Sequence, residues 1–285
     1  MLTVFGIVKN EEKVVGRMIN SAMALADSVL LVDTGSSDDT VDVARNFGAT
    51  VVTRQWVNFG HNLTEAVGLA CKDSDWVLRM DADMLISELH PNFHSWLHEG
   101  ATADAYNVVL SEGGTSWRLP LLLKSEHVWE YVGPTHEYIH ARGRNVQDVN
   151  GLVITHVADG SNRADKFERD IELLAEGVEA GEPRAIFYTA ESYRCLGDYV
   201  TAFEYFLRRS LMSGTWEEER WYAQYRAGCC MMQIDPQRGI PTLMAAWHAR
   251  PSRSEPLMRI REFCDTNRIQ DISSDALFVE PSAYR

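Results

Sequence analysis

Along the first hundred residues the apolar positions alternate between two periods. Leu2 to Val8 is an uninterrupted apolar, largely β-branched run that breaks at Lys9-Asn10-Glu11-Glu12, as a strand covered on both faces does. Lys13 to Ala26 then carries Val14, Met18, Ala22 and Leu25 at helical spacing. Ser28 to Val32 reads as a second strand, closed by Asp33-Thr34-Gly35-Ser36-Ser37-Asp38-Asp39-Thr40. In that stretch Ser36 or Ser37 is suited to cap a helix that runs through Phe47 and stops at Gly48. Thr50 to Thr53 is a third strand, Asn62 to Cys71 a helix and Asp75 to Met80 a fourth strand. Short apolar strands alternating with helical stretches predict a parallel sheet covered by helices, an architecture of the nucleotide-binding type.

The pattern changes after residue 100. Ala105 to Leu110 and Ser116 to Leu123 flank Gly113-Gly114 and predict a hairpin. Thr135 to His140 and Leu152 to His156 are further short strands, and from about Arg163 onward the pattern is helical. The polar stretch Ala158-Asp159-Gly160-Ser161-Asn162 is a natural boundary, giving domains of residues 1–160 and 161–285. Within the helical half, Ala190, Tyr193, Ala202, Phe206 and Arg209 recur 37 residues later as Ala227, Cys230, Gly239, Leu243 and Ala246. That is the spacing of the small and aromatic positions of a tetratricopeptide helix pair, and equally of a generic helical hairpin with closely packed helices.

Composition narrows the partners. With 41 acidic and 27 basic side chains among 285 residues, the formal net charge is −14, which opposes duplex nucleic acid because neutralising phosphates needs a basic footprint. No apolar stretch approaches the roughly 18 residues of a membrane-spanning helix, and the first residues lack the features of a secretory leader. The five cysteines are odd in number and without CxxC spacing, as expected of free thiols in a reducing cytoplasm rather than of a disulfide framework or zinc site.

Two places could carry chemistry. Trp76-Val77-Leu78-Arg79-Met80 leads an apolar strand into Asp81-Ala82-Asp83. In a parallel sheet ligands bind beyond the carboxyl ends of the strands. If the chain stays extended there, Asp81 and Asp83 share a face, with Ala82 leaving room for a phosphate. A hard divalent cation takes such a pair and completes its shell with substrate phosphates and water. Asp33 similarly ends the second strand, where it either accepts from a base or ribose or merely begins a turn. The helix that comes next offers backbone N–H groups to an anion.

The order KNEE, VDTGSSDDT, FGHN and DWVLRMDAD, succeeded by RLPLLLKSEHVWEYVGPTHEY, ITHVADG and KFERDIELL, resembles the family 2 glycosyltransferases. These have the GT-A fold, a Rossmann-like, mostly parallel α/β sheet flanked by helices. In particular the chain resembles the bacterial branch with C-terminal tetratricopeptide-like helices, such as the peptide S-glycosyltransferases and some lipopolysaccharide-core glucosyltransferases. The resemblance covers about residues 1 to 210. It implies inverting transfer from a nucleotide diphosphate sugar, UDP-glucose or a UDP-N-acetylhexosamine, assisted by Mn²⁺ or Mg²⁺. By position, it implies that Val8, Asn10, Glu11 and Asp33 line the nucleoside pocket, with Ala82 beside it. Asp81 and Asp83 would be the Asp-x-Asp pair, with Asp83 as the direct metal ligand. His61 stands where the branch carries Arg, near the pyrophosphate, and Met84 where it carries Glu. The branch's His-Glu pair is His136-Glu137, with Glu137 expected as general base and His136 as the alternative. His156 is a candidate metal or pyrophosphate contact, or a hydrogen-bonded structural histidine.

Physical chemistry asks for the same parts. The departing diphosphate gains negative charge, which a cation stabilises, and the attacking acceptor must lose a proton to a nearby base. The helical half suits a protein or peptide acceptor, or a dimer interface, while glycolipid enzymes of the branch that the chain resembles carry similar tails. A rival class is a helical adaptor with a degenerate nucleotide fold. A second rival is literal: His136-Glu137-Tyr138-Ile139-His140 is H-E-x-x-H, the zinc-peptidase motif. It chelates only on a helix, whereas on a strand its histidines lie roughly 13 Å apart at about 3.3 Å per residue. Gly133-Pro134 and Gly143 leave little room for that helix. His90, His94 and His98 form a histidine stripe expected to be an ordinary helix face. The aromatic stretch Phe203 to Trp221 is expected to be packing core.

Overall fold

In the computed structural model, residues 1–160 and 165–267 are described. The chain forms two compact units, Met1–Ala164 and one beginning at Asp165. Ser161 and Asn162 of the expected boundary, and the end of the helical half after residue 267, lie outside the described residues.

The first unit is an α/β layer structure. Its first part runs β1 (Leu2–Val8), α1 (Val15–Ala22), β2 (Ser28–Asp33), α2 (Thr40–Asn46), β3 (Thr50–Thr53), α3 (Phe59–Ala70) and β4 (Trp76–Arg79). Then come β5 (Met84–Leu89), α4 (Phe93–Glu99), β6 (Ala105–Glu112), β7 (Thr115–Lys124), β8 (Tyr131–Val132), β9 (Tyr138–Ile139) and β10 (Val146–His156). Eight strands make one sheet in the order β3-β2-β1-β4-β7-β6-β10-β5, and β8 pairs with β9 apart from it. β1, β2, β3 and β4 are mutually parallel, as are β6 and β10. β7 runs antiparallel to both β4 and β6, and β5 antiparallel to β10. Because β7 reverses twice, β6 and β10 end at the same sheet edge as β1, β2 and β4.

Strand order reverses between β1 and β4, so the loops leaving them part around a crevice, the usual ligand position in such sheets. Close backbone approach holds this place together. Met80 N–H donates to the Phe5 carbonyl at 3.0 Å. A Cβ on Gly6 would stand 2.3 Å from the Met80 oxygen, so β1 needs glycine there. The two faces of the sheet bury separate apolar clusters. One joins Leu2, Val4 and Leu78 to Met18, Ile19 and Phe93, and the other joins Phe5, Val32 and Val77 to Leu63, Val67 and Tyr131. Each fully buried side chain of this size contributes about 1.5–3 kcal/mol.

Several expectations need correction. Residues Met84 to Leu89, for which no strand was expected, pair with β10. The strand expected over Thr135 to His140 shrinks to Tyr138–Ile139, because Gly133 and His136 both take left-handed backbone. Neither Ser36 nor Ser37 caps α2. Asp38 Oδ1 accepts from Thr40 N at 3.1 Å and Glu12 Oε2 from Asp39 N at 3.1 Å instead. The predicted hairpin is present, with Gly113 and Gly114 both at positive φ (55° and 86°), the geometry of a two-residue turn matched to strand twist.

The second unit contains α5 (Lys166–Glu179), α6 (Pro183–Cys195), α7 (Tyr199–Ser210), α8 (Glu217–Ile234), α9 (Pro236–Ala249) and α10 (Glu255–Asn267), each packed on the next. The residues of the 37-residue repeat, apart from the half-buried Tyr193, are its interior. Ala190, Ala202, Phe206, Ala227, Cys230, Leu243 and Ala246 are buried. A Cβ on Gly239 would come 2.6 Å from Met232 Sδ, which sets how closely α8 and α9 approach. Arg209, at a position where the repeat has Ala246, is fully buried, with each of its three guanidinium nitrogens donating a hydrogen bond. It donates to Glu219 Oε1 at 2.9 Å, Thr215 Oγ1 at 3.1 Å and the Trp216 carbonyl at 3.1 Å. Among the described residues, no helix is long and apolar enough to cross a membrane. All five cysteines are free.

Candidate functional site

The crevice edge is lined by the segments that leave β1, β2 and β4. After β1, Asn10 takes left-handed backbone (φ 56°), which Asn tolerates better than most residues. Its N–H donates to Ser36 Oγ at 2.9 Å, and its Oδ1 accepts from Ser37 N at 2.7 Å. Asp33 is 3 % exposed, and its carboxylate accepts from Gly35 N at 3.2 Å and Ser36 N at 3.1 Å. The turn after β2 is therefore closed by side chains. Asp33, Asn10, Glu12 and Asp38 between them occupy the amides of residues 35–37, 39 and 40. Of the amides that the α2 end was expected to offer an anion, those of Asp39 and Thr40 are already engaged. Val8 and Ala82 are 3 % and 6 % exposed and lie in the apolar core, so what they present to a ligand is backbone.

Beyond β4 the chain turns. Met84 N–H donates to the Asp81 carbonyl at 3.0 Å, the i to i+3 bond of a β-turn. This corrects the extended reading in which both carboxylates share a face, because the turn separates them. Asp81 Oδ1 faces Arg79 at 3.4 Å. Asp83 Oδ2 accepts from His156 Nε2 at 3.1 Å and from Gly160 N at 3.3 Å. A Cβ on Gly160 would lie 3.1 Å from Asp83 Oδ2 and 3.4 Å from Glu11 Oε1, so the Glu11 and Asp83 carboxylates both border that glycine. The segment after β10 is drawn over Asp83, with Val157 N–H on the Asp83 carbonyl at 2.9 Å and Asp159 Oδ1 on Arg17 at 2.7 Å.

His156 lies between two acids. Its Nδ1 donates to Glu112 Oε2 at 3.0 Å, opposite the Asp83 bond. The hydrogen bond to Asp83, helped by Glu112, pushes the imidazole up to about 9 against partial burial. Burial would raise the Asp83 carboxyl, but the His156 hydrogen bond and charge, together with the Gly160 N–H, more than offset it and hold Asp83 below the usual range.

The segment bearing His136 and Glu137 is docked on the start of α3. Phe59 N–H donates to the Pro134 carbonyl at 3.0 Å and Gly60 N–H to the Gly133 carbonyl at 3.1 Å. A Cβ on Gly60 would stand 2.4 Å from the Gly133 oxygen, so this docking requires glycine. Asn58 caps the helix by accepting from His61 N at 2.8 Å. Glu137 Oε1 is 2.7 Å from Arg79 Nη2, with the two side chains 10 % and 15 % exposed. The guanidinium also lies 5.2 Å from the Tyr131 ring centre. Burial opposes the Arg79 charge, yet Asp81 and Glu137 more than restore it and raise the guanidinium above its ordinary value. Burial likewise raises the Tyr131 hydroxyl. His136 has φ 50° and sits outside any helix, so His136 and His140 are not presented as a zinc-peptidase pair. His61 lies in the first turn of α3, half exposed, with Nε2 3.6 Å from Glu65 Oε2. Glu65 Oε1 also faces Arg54 Nε at 3.7 Å.

Thus Asp83 meets His156, and Asp81 meets Glu137 through Arg79. Asp33 and Asn10 are joined through the turn after β2, while His61 stands apart with Glu65 and Arg54. Arg79, Glu112, Tyr131 and Arg54 were not singled out from sequence. Arg79 carried a signal, being a charge at the end of an otherwise apolar strand.

One other cluster could in principle hold a cation. Ligand atoms of Asp104, Glu126 and His127 lie within 4.8 Å of one another, at the opposite edge of the sheet where β4 begins and β7 ends. Arg144 Nη1 donates to His127 Nδ1 at 3.1 Å, so Nε2 carries the ring proton and donates to Asp104 Oδ1 at 2.9 Å. Lys124 Nζ holds Glu126 Oε1 at 2.8 Å. Both cations oppose a metal there. His94 and His98 are exposed neighbours with ring centres 4.9 Å apart.

The fold and this crevice define an α/β protein with an acid-and-imidazole site at the reversal of its sheet. Residues 3–151 match the family described as glycosyl transferase family 2, and the chain belongs to that family. Among curated proteins it is similar to an uncharacterized glycosyltransferase of Rickettsia typhi, 38% identical over 87 residues, covering 30% of this chain and 29% of that one. A Rickettsia conorii counterpart is 40% identical over 87 residues, covering 30% of each. A TPR repeat-containing protein of Synechococcus elongatus is 30% identical over 139 residues, covering 47% of this chain and 34% of that one. The chain therefore matches less than a third of the length of these Rickettsia relatives. Among solved structures, glucosyl-3-phosphoglycerate synthase from Mycobacterium tuberculosis is 26% identical with a TM-score of 0.32, covering 40% of this chain and 45% of that one.

Proposed function

We propose that the chain is an inverting, metal-assisted hexosyltransferase that moves a sugar from a UDP-sugar, UDP-glucose or a UDP-N-acetylhexosamine, to a protein, peptide or glycan acceptor. The observation that carries this reading is the convergence of Asp83 Oδ2 and His156 Nε2 at 3.1 Å beside the crevice between β1 and β4, in a chain of family 2.

The donor set fits a divalent cation. A carboxylate and an imidazole suit Mn²⁺, which accepts nitrogen as well as oxygen, better than Mg²⁺, which prefers oxygen. Asp83 and His156 would hold it, with the Glu11 carboxylate beside Asp83 at Gly160, while Asp81 is engaged by Arg79. When bound, the ion supplies Lewis-acid stabilisation of the departing diphosphate. Asn10, Glu11 and Asp33 form the nucleoside side of the crevice, with the backbone of Val8 and Ala82, while His61 and Arg54 stand with Glu65 on the α3 side.

Glu137 is the general base that takes the acceptor proton as the acceptor oxygen, nitrogen or sulfur attacks the anomeric carbon from the face opposite the diphosphate. Arg79 orients it. The ion pair ties the Glu137 loop to the end of β4, which also leads into the Asp81 turn. His136 is the alternative base. Residues 1–160 are the catalytic domain, and residues 161–285 a tetratricopeptide-like helical domain that contacts the acceptor or a second copy. The buried repeat positions of α6 to α9 support that last reading, and the cytoplasm is the expected compartment.

The test is calorimetric titration of UDP and a panel of UDP-sugars into the full chain with and without Mn²⁺. Metal-dependent binding that Asp83→Ala abolishes is expected. Absence of metal-dependent binding, or binding unchanged in Asp83→Ala, would overturn the reading. Mass spectrometry of candidate acceptors incubated with the donor that binds would then identify the acceptor.

A further inference from the structure

The imidazole of His156 has two nitrogens on opposite sides of one ring, and both are spoken for by acids, Glu112 at the end of β6 and Asp83 in the turn after β4. Its place is set by the sheet. β6 and β10 run parallel with Ser111 opposite Thr155, so Glu112 and His156 come next, side by side at the ends of the two strands. The preceding pair is locked by hydroxyls, with Ser111 Oγ 3.0 Å from Thr155 Oγ1 and Thr155 Oγ1 donating to Ser87 Oγ at 2.8 Å. On its other side β10 pairs with β5, placing His156 opposite Met84. The backbone of His156 is thus held from both neighbouring strands, and what remains to be fixed is the ring.

We propose that Glu112 is the positioning residue for His156 as a metal ligand: by accepting from Nδ1 it turns Nε2 toward Asp83 and fixes the tautomer that leaves the Nε2 lone pair for a divalent cation. The inference rests on the reading of Asp83 and His156 as metal ligands. Glu112 itself bonds to the far side of the ring from Asp83, so it does not serve as a ligand. A carboxylate on the distal nitrogen of a metal-bound histidine raises the basicity of the ligating nitrogen and restricts ring rotation. Loss of such a partner characteristically weakens metal binding about 10- to 100-fold. The alternative is that Glu112 merely joins a surface ion-pair chain, which would touch stability alone.

The experiment separates these outcomes through metal affinity, without any acceptor. Free Mn²⁺ is monitored by electron paramagnetic resonance while the full chain, with UDP present at saturation, is titrated with MnCl₂. Thermal unfolding is recorded on each variant. Glu112 is 41% exposed, so its replacement leaves no core cavity. Glu112→Ala is expected to weaken Mn²⁺ binding about 10- to 100-fold at nearly unchanged Tm. Glu112→Gln, whose amide oxygen still accepts from Nδ1–H, is expected to recover most of that loss. Unchanged Mn²⁺ affinity in Glu112→Ala, alongside loss in Asp83→Ala and His156→Ala, would overturn the role of Glu112 while the metal site stands. Equal losses in Glu112→Ala and Glu112→Gln would also overturn the orienting role. No Mn²⁺ binding by the unaltered chain would remove the metal-site reading, and this inference with it.

Discussion

Two histidines at opposite edges of one sheet show how little residue type says about chemistry. His127, where β4 begins, and His156, where β10 ends, each stand beside a carboxylate and within reach of a second. The difference lies on Nδ1. At His127 a guanidinium donates to that nitrogen, so the ring's proton is on Nε2 and is given to Asp104. Freeing Nε2 for a metal would leave the ring without a proton. At His156 the Nδ1 partner is an acid, so Nε2 can give up its proton while Nδ1 keeps a hydrogen-bond acceptor. The first arrangement ties strand ends together, and the second suits coordination.

The comparison can be broken at either edge. The largest expected effect is at the proposed base: Glu137→Gln should lower sugar transfer about 10²- to 10⁴-fold while leaving UDP affinity within a few-fold, as read by turnover and calorimetry. Next, His156→Ala should weaken Mn²⁺ binding more than about 100-fold, beyond what loss of an orienting partner costs, whereas His127→Ala should leave it unchanged. Equal effects of the two would dissolve the distinction. Arg79→Met leaves a nearly buried carboxylate unpaired. Denaturant unfolding should show a loss of about 3–5 kcal/mol, with transfer falling further than UDP affinity. Smallest is the stability effect of His127→Ala, about 1–3 kcal/mol from the Asp104 and Arg144 partners it orphans.

How far the sequence spoke depended on distance along the chain. The parallel strands β1 to β4, the Gly113-Gly114 hairpin and the buried repeat positions of the helical unit were legible because each is a local pattern. The identity of the strand that would border β10 was not. Met84 to Leu89 comes so soon after the Asp-x-Asp turn that its pairing with a strand about 70 residues later leaves no local mark. The same reason hid Glu112, which meets His156 only through the ladder between β6 and β10. Asp83 and His156 were both named from motif order, but their mutual contact was not readable. At Asp81 to Asp83 the expectation of extended chain failed because a single i to i+3 bond turned the backbone. At the start of α2, the amides of Asp39 and Thr40 are taken by Glu12 and Asp38, acids that composition counts only as surplus charge.

Everything proposed for the chemistry depends on Asp83 and His156 forming a cation site that faces a nucleotide diphosphate. Calorimetric titration of UDP into the full chain, in Mn²⁺ and again in EDTA, tests this most directly when run on the unaltered chain and on Asp83→Ala. The prediction is binding in Mn²⁺ that disappears in EDTA and is absent from Asp83→Ala in either buffer. Equal binding of UDP by both chains, with or without the metal, would contradict it.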